Sequence, residues 1–191
     1  YFIKPGADAQ WHEYWVNERM KWYQTIGLPE GHLHRYVYKK EELAHYASAC
    51  TDVMYDFPFG TQELEGIAAR GDFDLSRHAQ FSGKSMEYFD QEANEKFVPH
   101  VVEPSAGVDR IALALLCEAF YEEWVPAKSE ANAAPIPAEP GKQPPQGYEA
   151  RTVMRFAPNI APVKVAVFPL LKNKPELVQK ARGVFDMLRK R

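Results

Sequence analysis

Within eight residues the chain sets a carboxylate, a small hydroxyl and a guanidinium, in the run Glu103-Pro104-Ser105-Ala106-Gly107-Val108-Asp109-Arg110. The residues before it, Lys96 to Val102, are rich in β-formers and predict a strand running into Glu103. From Val108 to Trp124 the sequence predicts a mostly buried helix. The turn between them is made of small residues, so backbone N–H groups at a helix N-terminus can approach an anion closely. That order suits a ligand with an ammonium group at one end and phosphates at the other. The same pattern also describes a plain strand–turn–helix in which Glu103 caps and Arg110 pairs on the surface, because short polar turns before helices are common.

A second acidic stretch, Glu63-Leu64-Glu65-Gly66-Ile67-Ala68-Ala69-Arg70, alternates polar and apolar residues as a half-buried strand does. On such a strand Glu63 and Glu65 share a face and Leu64 lies on the other. His45, His78 and His100 read as satisfied core or surface residues. No Cys/His pairing has the spacing of a metal site or of a nucleophile with its base.

The elements that must position these groups follow from patterning. Asp8 to Ile26 carries Trp11, Tyr14, Trp15, Trp22 and Tyr23 at helical spacing before Gly27-Leu28-Pro29, which predicts an amphipathic helix with aromatics in the core. Strands are expected at Leu33–Tyr38 and Thr51–Phe57, a short helix at Glu41–Ala49, and a turn at Phe57-Pro58-Phe59-Gly60. Leu75 to Phe81 reads as a short helix or loop, and Ser85–Phe89 and Lys96–Glu103 as a hairpin around Asp90–Glu95. A run of strands with helices laid on it is an α+β class rather than βαβ alternation. From 126 to 150 the composition turns to Pro, Ala, Glu, Gln and Gly, which predicts a flexible linker or insertion. Val163 to Leu170 then reads as a buried strand and Pro175 to Arg189 as an amphipathic helix opening a separate α/β domain.

At 46% hydrophobic and 26% charged residues, the 191-residue chain has an ordinary soluble composition, sufficient for one core or one core plus part of a second. A net charge of −3 gives no long-range pull on nucleic acid, so any RNA contact has to be local. Cys50 and Cys117 are expected to be reduced, buried thiols of an intracellular protein and not a disulfide. No apolar run suggests a membrane span and no secretory signal opens the chain. The start at Tyr1-Phe2-Ile3, resembling the end of a strand, and the stop just after a helix suggest a piece of a longer polypeptide.

With these residues in view, the chain resembles the glycyl-tRNA synthetases of the homodimeric type, class II aminoacyl-tRNA synthetases, over nearly its whole length apart from the Pro-rich insert. Glu103 to Arg110 resembles that family's motif 3. His45, Tyr46, Asp52, Tyr55, Phe57-Pro58-Phe59-Gly60 and Glu63 to Ala68 are similar to its block just upstream, and Asp72-Phe73-Asp74-Leu75 with His78 continue the match. Arg155-Phe156-Ala157-Pro158 onward is similar to the start of its anticodon-binding domain. Three departures stand out. Motif 1 and most of motif 2, which would supply the dimer interface and an α-phosphate arginine, should lie before Tyr1. Position 71 is Gly where the family usually has Thr, and only the first strand and helix of the anticodon-binding domain are present.

The resemblance implies a class II antiparallel β-sheet flanked by helices over 1–125, a linker over 126–150, and the beginning of the anticodon-binding domain over 151–191. It implies ATP-dependent activation of glycine to glycyl-adenylate and transfer to the 3′ end of tRNA(Gly), in a cytoplasmic homodimer, with Mg²⁺ accompanying ATP. A protein of these residues alone would not be expected to complete the reaction. Arg110 would hold the γ-phosphate, and Glu63 would act through the metal ion; these are the two residues with catalytic roles. Glu63, Leu64, Gly107, Val108, Asp109 and Arg110 would contact ATP. Glu103 and Ser105 would take the glycine ammonium, Pro104 and Ala106 would wall the pocket, Gly107 adjoins it, and Arg70 would lie near the substrate carboxylate or adenylate. A Glu set against an apolar sheet without a cation is costly, which favours a bound ammonium at Glu103. Glu65 either shares the metal site or pairs with a neighbouring lysine, and Asp72 and Asp74 cap or pair. Two other readings are a class II-like accessory protein that binds nucleic acid without catalysis, and a metal-free hydrolase using Glu63 and Glu103 as an acid–base pair.

Overall fold

The computed structural model describes residues 1–127 and 134–190. In chain order the elements are β1 (Phe2–Ile3), α1 (Asp8–Thr25), β2 (Leu33–Val37), β3 (Ala49–Phe57), β4 (Gly60–Gly71), α2 (Phe73–Ser82), β5 (Tyr88–Asp90), β6 (Glu95–Phe97), β7 (His100–Ala106), α3 (Val108–Ala119), β8 (Phe120–Pro126), β9 (Ile136–Pro137), β10 (Tyr148–Met154) and α4 (Pro175–Arg189). Cα proximity separates two units, Tyr1–Phe156 and Ala157–Arg191.

The first unit is built on an antiparallel five-stranded sheet in the order β1-β7-β4-β3-β2. Helices α1 and α3 cover one face of it. His12 of α1 places Nε2 3.0 Å from the Ile67 carbonyl, and Tyr55 donates its hydroxyl to Glu118 of α3 at 2.8 Å. Val16, Tyr23, Val53, Tyr55, Ile67 and Val102 fill this side. Burying these side chains drives the sheet and helices together, at roughly 1.5–3 kcal/mol for each large one. Glycine takes the left-handed conformation where the chain must turn sharply after the helix α2 (Gly83, φ +70) and at the end of β4 (Gly71, φ +57).

Several expectations need correction. The helix expected from Val108 to Trp124 ends at Ala119, and Phe120–Pro126 is instead a strand paired along its whole length with β10. Aromatic and β-branched residues at 120, 121, 124 and 125 fit a pleated surface better than a helix once a partner strand exists. Helix α3 is also not mostly buried: Leu113 and Leu116 are exposed, and only Ala114 and Ala119 are fully covered. The expected linker over 126–150 contributes β9 and the first residues of β10 to a three-stranded sheet ordered β10-β8-β9, in which Arg151 and Arg155 both pair with Glu123; residues 128–133 of that linker lie outside the described residues. Glu41–Ala49 forms no α-helix; a single 3-10 turn at Lys40–Glu42 precedes β3. Of the α1 aromatics only Tyr23 is fully buried, while Trp11, Tyr14 and Trp15 form an aromatic cluster with Tyr1, tilted between Tyr1 and Trp11 and edge-to-face otherwise.

In the second unit α4 spans Pro175–Arg189 as the spacing predicts, with Pro175 in its first turn. Val163 to Leu170 is not a strand among the described residues, and Val163, Val165, Phe168 and Leu170 are exposed. A strand is defined by its hydrogen-bonded neighbour, and these residues have none to pair with.

Candidate functional site

The face of the sheet opposite α1 and α3 carries the polar residues singled out above, and a β-bulge decides which of them. On β4, Glu65 lies opposite Val53 but Glu63 lies opposite Met54, so Leu64 is an extra residue without a partner on β3. The extra residue reverses the alternation. Glu63 and Glu65, expected on one face, therefore point to opposite sides of the sheet. Glu65 turns into the helix-covered core, where it is 1% exposed and accepts Arg19 Nε at 2.7 and 2.9 Å and the Tyr23 hydroxyl at 2.6 Å. Its partner is an arginine of α1, not a lysine, and it takes no part in the polar face. Leu64 is buried too, so its side chain offers nothing to a ligand on that face.

Register places the rest. Glu103 lies opposite Ala68, and Ser105 opposite Gly66, which in turn lies opposite Asp52 on β3. Residues directly opposite in an antiparallel pair share a face. Glu103, Ser105, Gly66, Asp52 and Glu63 thus occupy one face, Glu103 and Ser105 being roughly 7 Å apart along β7. Pro104 and Ala106, expected as pocket walls, lie opposite Ile67 and Glu65 and so face the helix-covered side. Pro104 still borders a cavity of about 400 Å³ beside Glu103, lined also by Arg70, Asp74 and His78.

Glu103 is not the cation-free buried acid of the sequence reading. Its side chain is 45% exposed, and Arg70 donates Nη1 to it at 2.8 Å. Each nitrogen of Arg70 makes a bond: besides Nη1, Nε and Nη2 donate to the two Asp74 oxygens at 2.6 and 2.9 Å, and the guanidinium lies 4.1 Å from the Tyr46 ring centroid. The Asp74 contact raises the Arg70 pKa and, in return, holds the Asp74 carboxyl below the usual carboxylate range. Asp72 accepts a hydrogen bond from Ser76, His100 pairs with Asp8, and His45 packs edge-on against Tyr46 and Phe73.

At the other end of the face Arg110, in the first turn of α3, donates Nη1 to the Glu63 carbonyl at 2.6 Å. That is one of five N–H donors, and the side chain is otherwise exposed. Val108 and Asp109 are exposed beside it. Gly107 is the N-cap of α3 with no side-chain cap, so the first backbone N–H groups of the helix are open to an anion. Among the described residues no three His, Cys, Asp or Glu side chains group to hold a metal. The single exposed carboxylate of Glu63 still suits Mg²⁺, which is held by one or two carboxylates together with substrate phosphates.

Asp52 has no role in the resemblance, and the structure makes it conspicuous. It is 5% exposed in the middle of β3, and among the described residues no cation pairs with it. Oδ2 accepts the Tyr38 hydroxyl at 2.8 Å and Cys50 Sγ lies 3.9 Å from Oδ1. Burial pushes its carboxyl up, against the opposing pull of these two donors. Burial first, and the neighbouring Asp52 second, push the Cys50 thiol up to about 11. The available signal was a lone acid inside an otherwise buried β-run, Thr51-Asp52-Val53.

An antiparallel sheet with helices on one face carries acids, a hydroxyl, an arginine and an open helix N-terminus along the other, an α+β scaffold with anionic groups toward one end of that face and an arginine with free N–H donors at the other. No protein-family model matches the chain. Its sequence is similar to curated glycine–tRNA ligases. It is 45% identical over 192 residues to that of Streptomyces coelicolor, covering 99% of this chain and 38% of the relative. It is 44% identical over 197 residues to that of Thermus thermophilus, covering 95% of the chain and 35% of the relative, and 44% identical to that of Thermobifida fusca, covering 100% and 38%. The chain thus resembles one continuous stretch of glycine–tRNA ligases along nearly its whole length, and spans little more than a third of theirs. Among the described residues no helix is long and apolar enough to cross a membrane.

Proposed function

We propose that this chain is a segment of a glycine–tRNA ligase, a class II aminoacyl-tRNA synthetase that activates glycine with ATP and transfers it to tRNA(Gly). Residues 1–125 would belong to its catalytic core and 151–191 would open its anticodon-binding domain, in a homodimer of the cytoplasm. One observation carries the reading: the β3–β4 and β4–β7 registers together put Glu103, Ser105 and Glu63 along one sheet face that ends at Arg110 and the open N-terminus of α3.

In this reading the amine end of the ligand sits at Glu103 and Ser105. Arg70 and Asp74 hold the Glu103 carboxylate in one orientation, so the incoming ammonium finds its acceptor already placed. Arg110 receives the distal phosphates with the donors its bond to Glu63 leaves free, a guanidinium fork matching paired phosphate oxygens. The α3 N–H groups add to the same electrostatic preference. Mg²⁺ held at Glu63 with the nucleotide would neutralise phosphate charge. Attack of the glycine carboxylate on the α-phosphate requires alignment and charge stabilisation rather than a protein nucleophile.

The experiment is glycine-dependent ATP–pyrophosphate exchange by the full-length polypeptide carrying this segment. Arg110→Ala is expected to lower exchange roughly a hundredfold or more, the scale of losing one preorganised charge-stabilising donor. Exchange that survives the substitution undiminished refutes the role of Arg110. A protein that binds tRNA but shows no exchange is an accessory protein instead.

A further inference from the structure

A buried acid without a cation is costly unless a ligand brings one; Glu103 has Arg70, whereas Asp52 is buried and has no cation among the described residues. Asp52 is the covered acid of the polar face that no arginine, lysine or histidine neutralises among the described residues. Its two oxygens are used unequally. Oδ2 is held by the Tyr38 hydroxyl, while Oδ1, with only a thiol at 3.9 Å, is turned toward Gly66. A Cβ on Gly66 would lie 3.4 Å from Asp52 Oδ1 and 3.6 Å from Glu63 Oε1, so both carboxylates flank the bare backbone of this one residue. On the other side of Gly66 stands Ser105. Adjacent strands are about 4.8 Å apart, so Ser105 and Asp52 stand about that far to either side of Gly66. A small cation above the glycine is within reach of both.

We propose that Asp52 is a further substrate-binding residue of this site: across the floor formed by Gly66, it takes the ammonium group of the bound amino acid from the side opposite Ser105. This rests on the ligase reading above. Ionised and enclosed, Asp52 is costly in the empty protein, and a bound ammonium removes that cost, so part of the affinity for an amine is stored in its burial. Tyr38 sets the direction by holding the far oxygen. Gly66 is required because any side chain there fills the space the ammonium needs.

The test compares Asp52→Asn and Gly66→Ala with the wild-type full-length polypeptide, using glycine and Mg·ATP as the varied substrates in pyrophosphate exchange and following thermal unfolding in parallel. Asn keeps an acceptor for Tyr38 but loses the charge. Asp52→Asn is expected to raise the KM for glycine roughly tenfold or more with the KM for ATP little changed, while the unfolding temperature holds or rises. The Gly66→Ala methyl makes only ordinary van der Waals contacts in the empty protein, so the fold is retained while glycine binding falls. Unchanged glycine KM in either variant overturns the proposal. So does a lowered unfolding temperature for Asp52→Asn with glycine KM intact, which marks a structural acid. A shift in Mg²⁺ requirement or ATP KM instead assigns Asp52 to the nucleotide end and equally overturns it. Absence of glycine-dependent exchange in the wild-type protein removes the ligase reading and this inference together, whereas exchange indifferent to Asp52→Asn removes only the inference.

Discussion

Arg19→Ala removes the cation from a carboxylate that cannot reach water. Glu65 is 1% exposed, with Arg19 Nε on both of its oxygens and the Tyr23 hydroxyl donating to one of them. Removing one partner of a buried ion pair costs about 3–5 kcal/mol, because the remaining charge is left desolvated. Arg19 keeps 22% of its side chain exposed, so water has partial access once it is gone and the lower end, about 3 kcal/mol, is the expected loss. Its guanidinium also lies 4.2 Å from the Trp22 ring centroid, adding a smaller stacking loss of about 0.5–1 kcal/mol. For a unit of this size each kcal/mol lowers the midpoint by roughly 2–4 °C, giving a drop of roughly 7–16 °C. Glu65→Gln is the informative contrast. It keeps an acceptor for Tyr23 and leaves Arg19 with its own access to solvent, so it should cost clearly less than Arg19→Ala. Thermal unfolding of the full-length protein, followed by Trp fluorescence, measures both. Equal losses in the two variants refute the reasoning, and so does a loss below about 1 kcal/mol for Arg19→Ala. A Glu65→Gln protein of normal stability that no longer exchanges pyrophosphate would contradict the placement of Glu65 outside the polar face.

Two further outcomes follow from the site's framework. The Arg70 contact lowers the Asp74 carboxyl, so it contributes stability above the ordinary Asp value of about 3.9 and loses it as pH falls through the lower folded value. Arg70→Ala should therefore flatten that part of the acid-unfolding profile, and an unchanged profile between wild type and variant argues against the linkage. Gly71 holds φ +57 with open space around its Cα, so Gly71→Ala should destabilise by roughly 1–2 kcal/mol through backbone strain alone, with Gly71→Asn costing less; denaturant titration of the two variants checks the order, and equal stabilities contradict it.

The periods of the sequence were enough for much of the scaffold. Asp8 to Thr25, Pro175 to Arg189 and the strands β2, β3 and β4 are legible because hydrophobic spacing and glycine or proline stops act locally. The run from Glu103 to Arg110 was likewise legible as strand, turn and helix, since small residues at that junction allow no other layout of comparable ease. What failed was whatever depended on a partner far away in sequence. Phe120 to Pro126 is a strand only because Tyr148 to Met154 lies beside it, and among the described residues Val163 to Leu170 has no such neighbour. Which side of the sheet each acid faces was likewise beyond local reading. One unpartnered residue at Leu64 sends Glu65 into the core and Glu63 to the open face, and strict alternation cannot anticipate a bulge that arises from pairing with β3. Charge compensation also crosses strands. Glu103 acquires a cation from Arg70, the residue left unpaired where the β4–β7 register shifts, and among the described residues Asp52 acquires none, because contacts made across strands, not those adjacent in the chain, determine how a carboxylate is solvated. The sequence by itself thus determined the chemical groups present and the elements that carry them; only the tertiary structure decided which groups share a face, since burial and pairing are properties of contacts between distant strands.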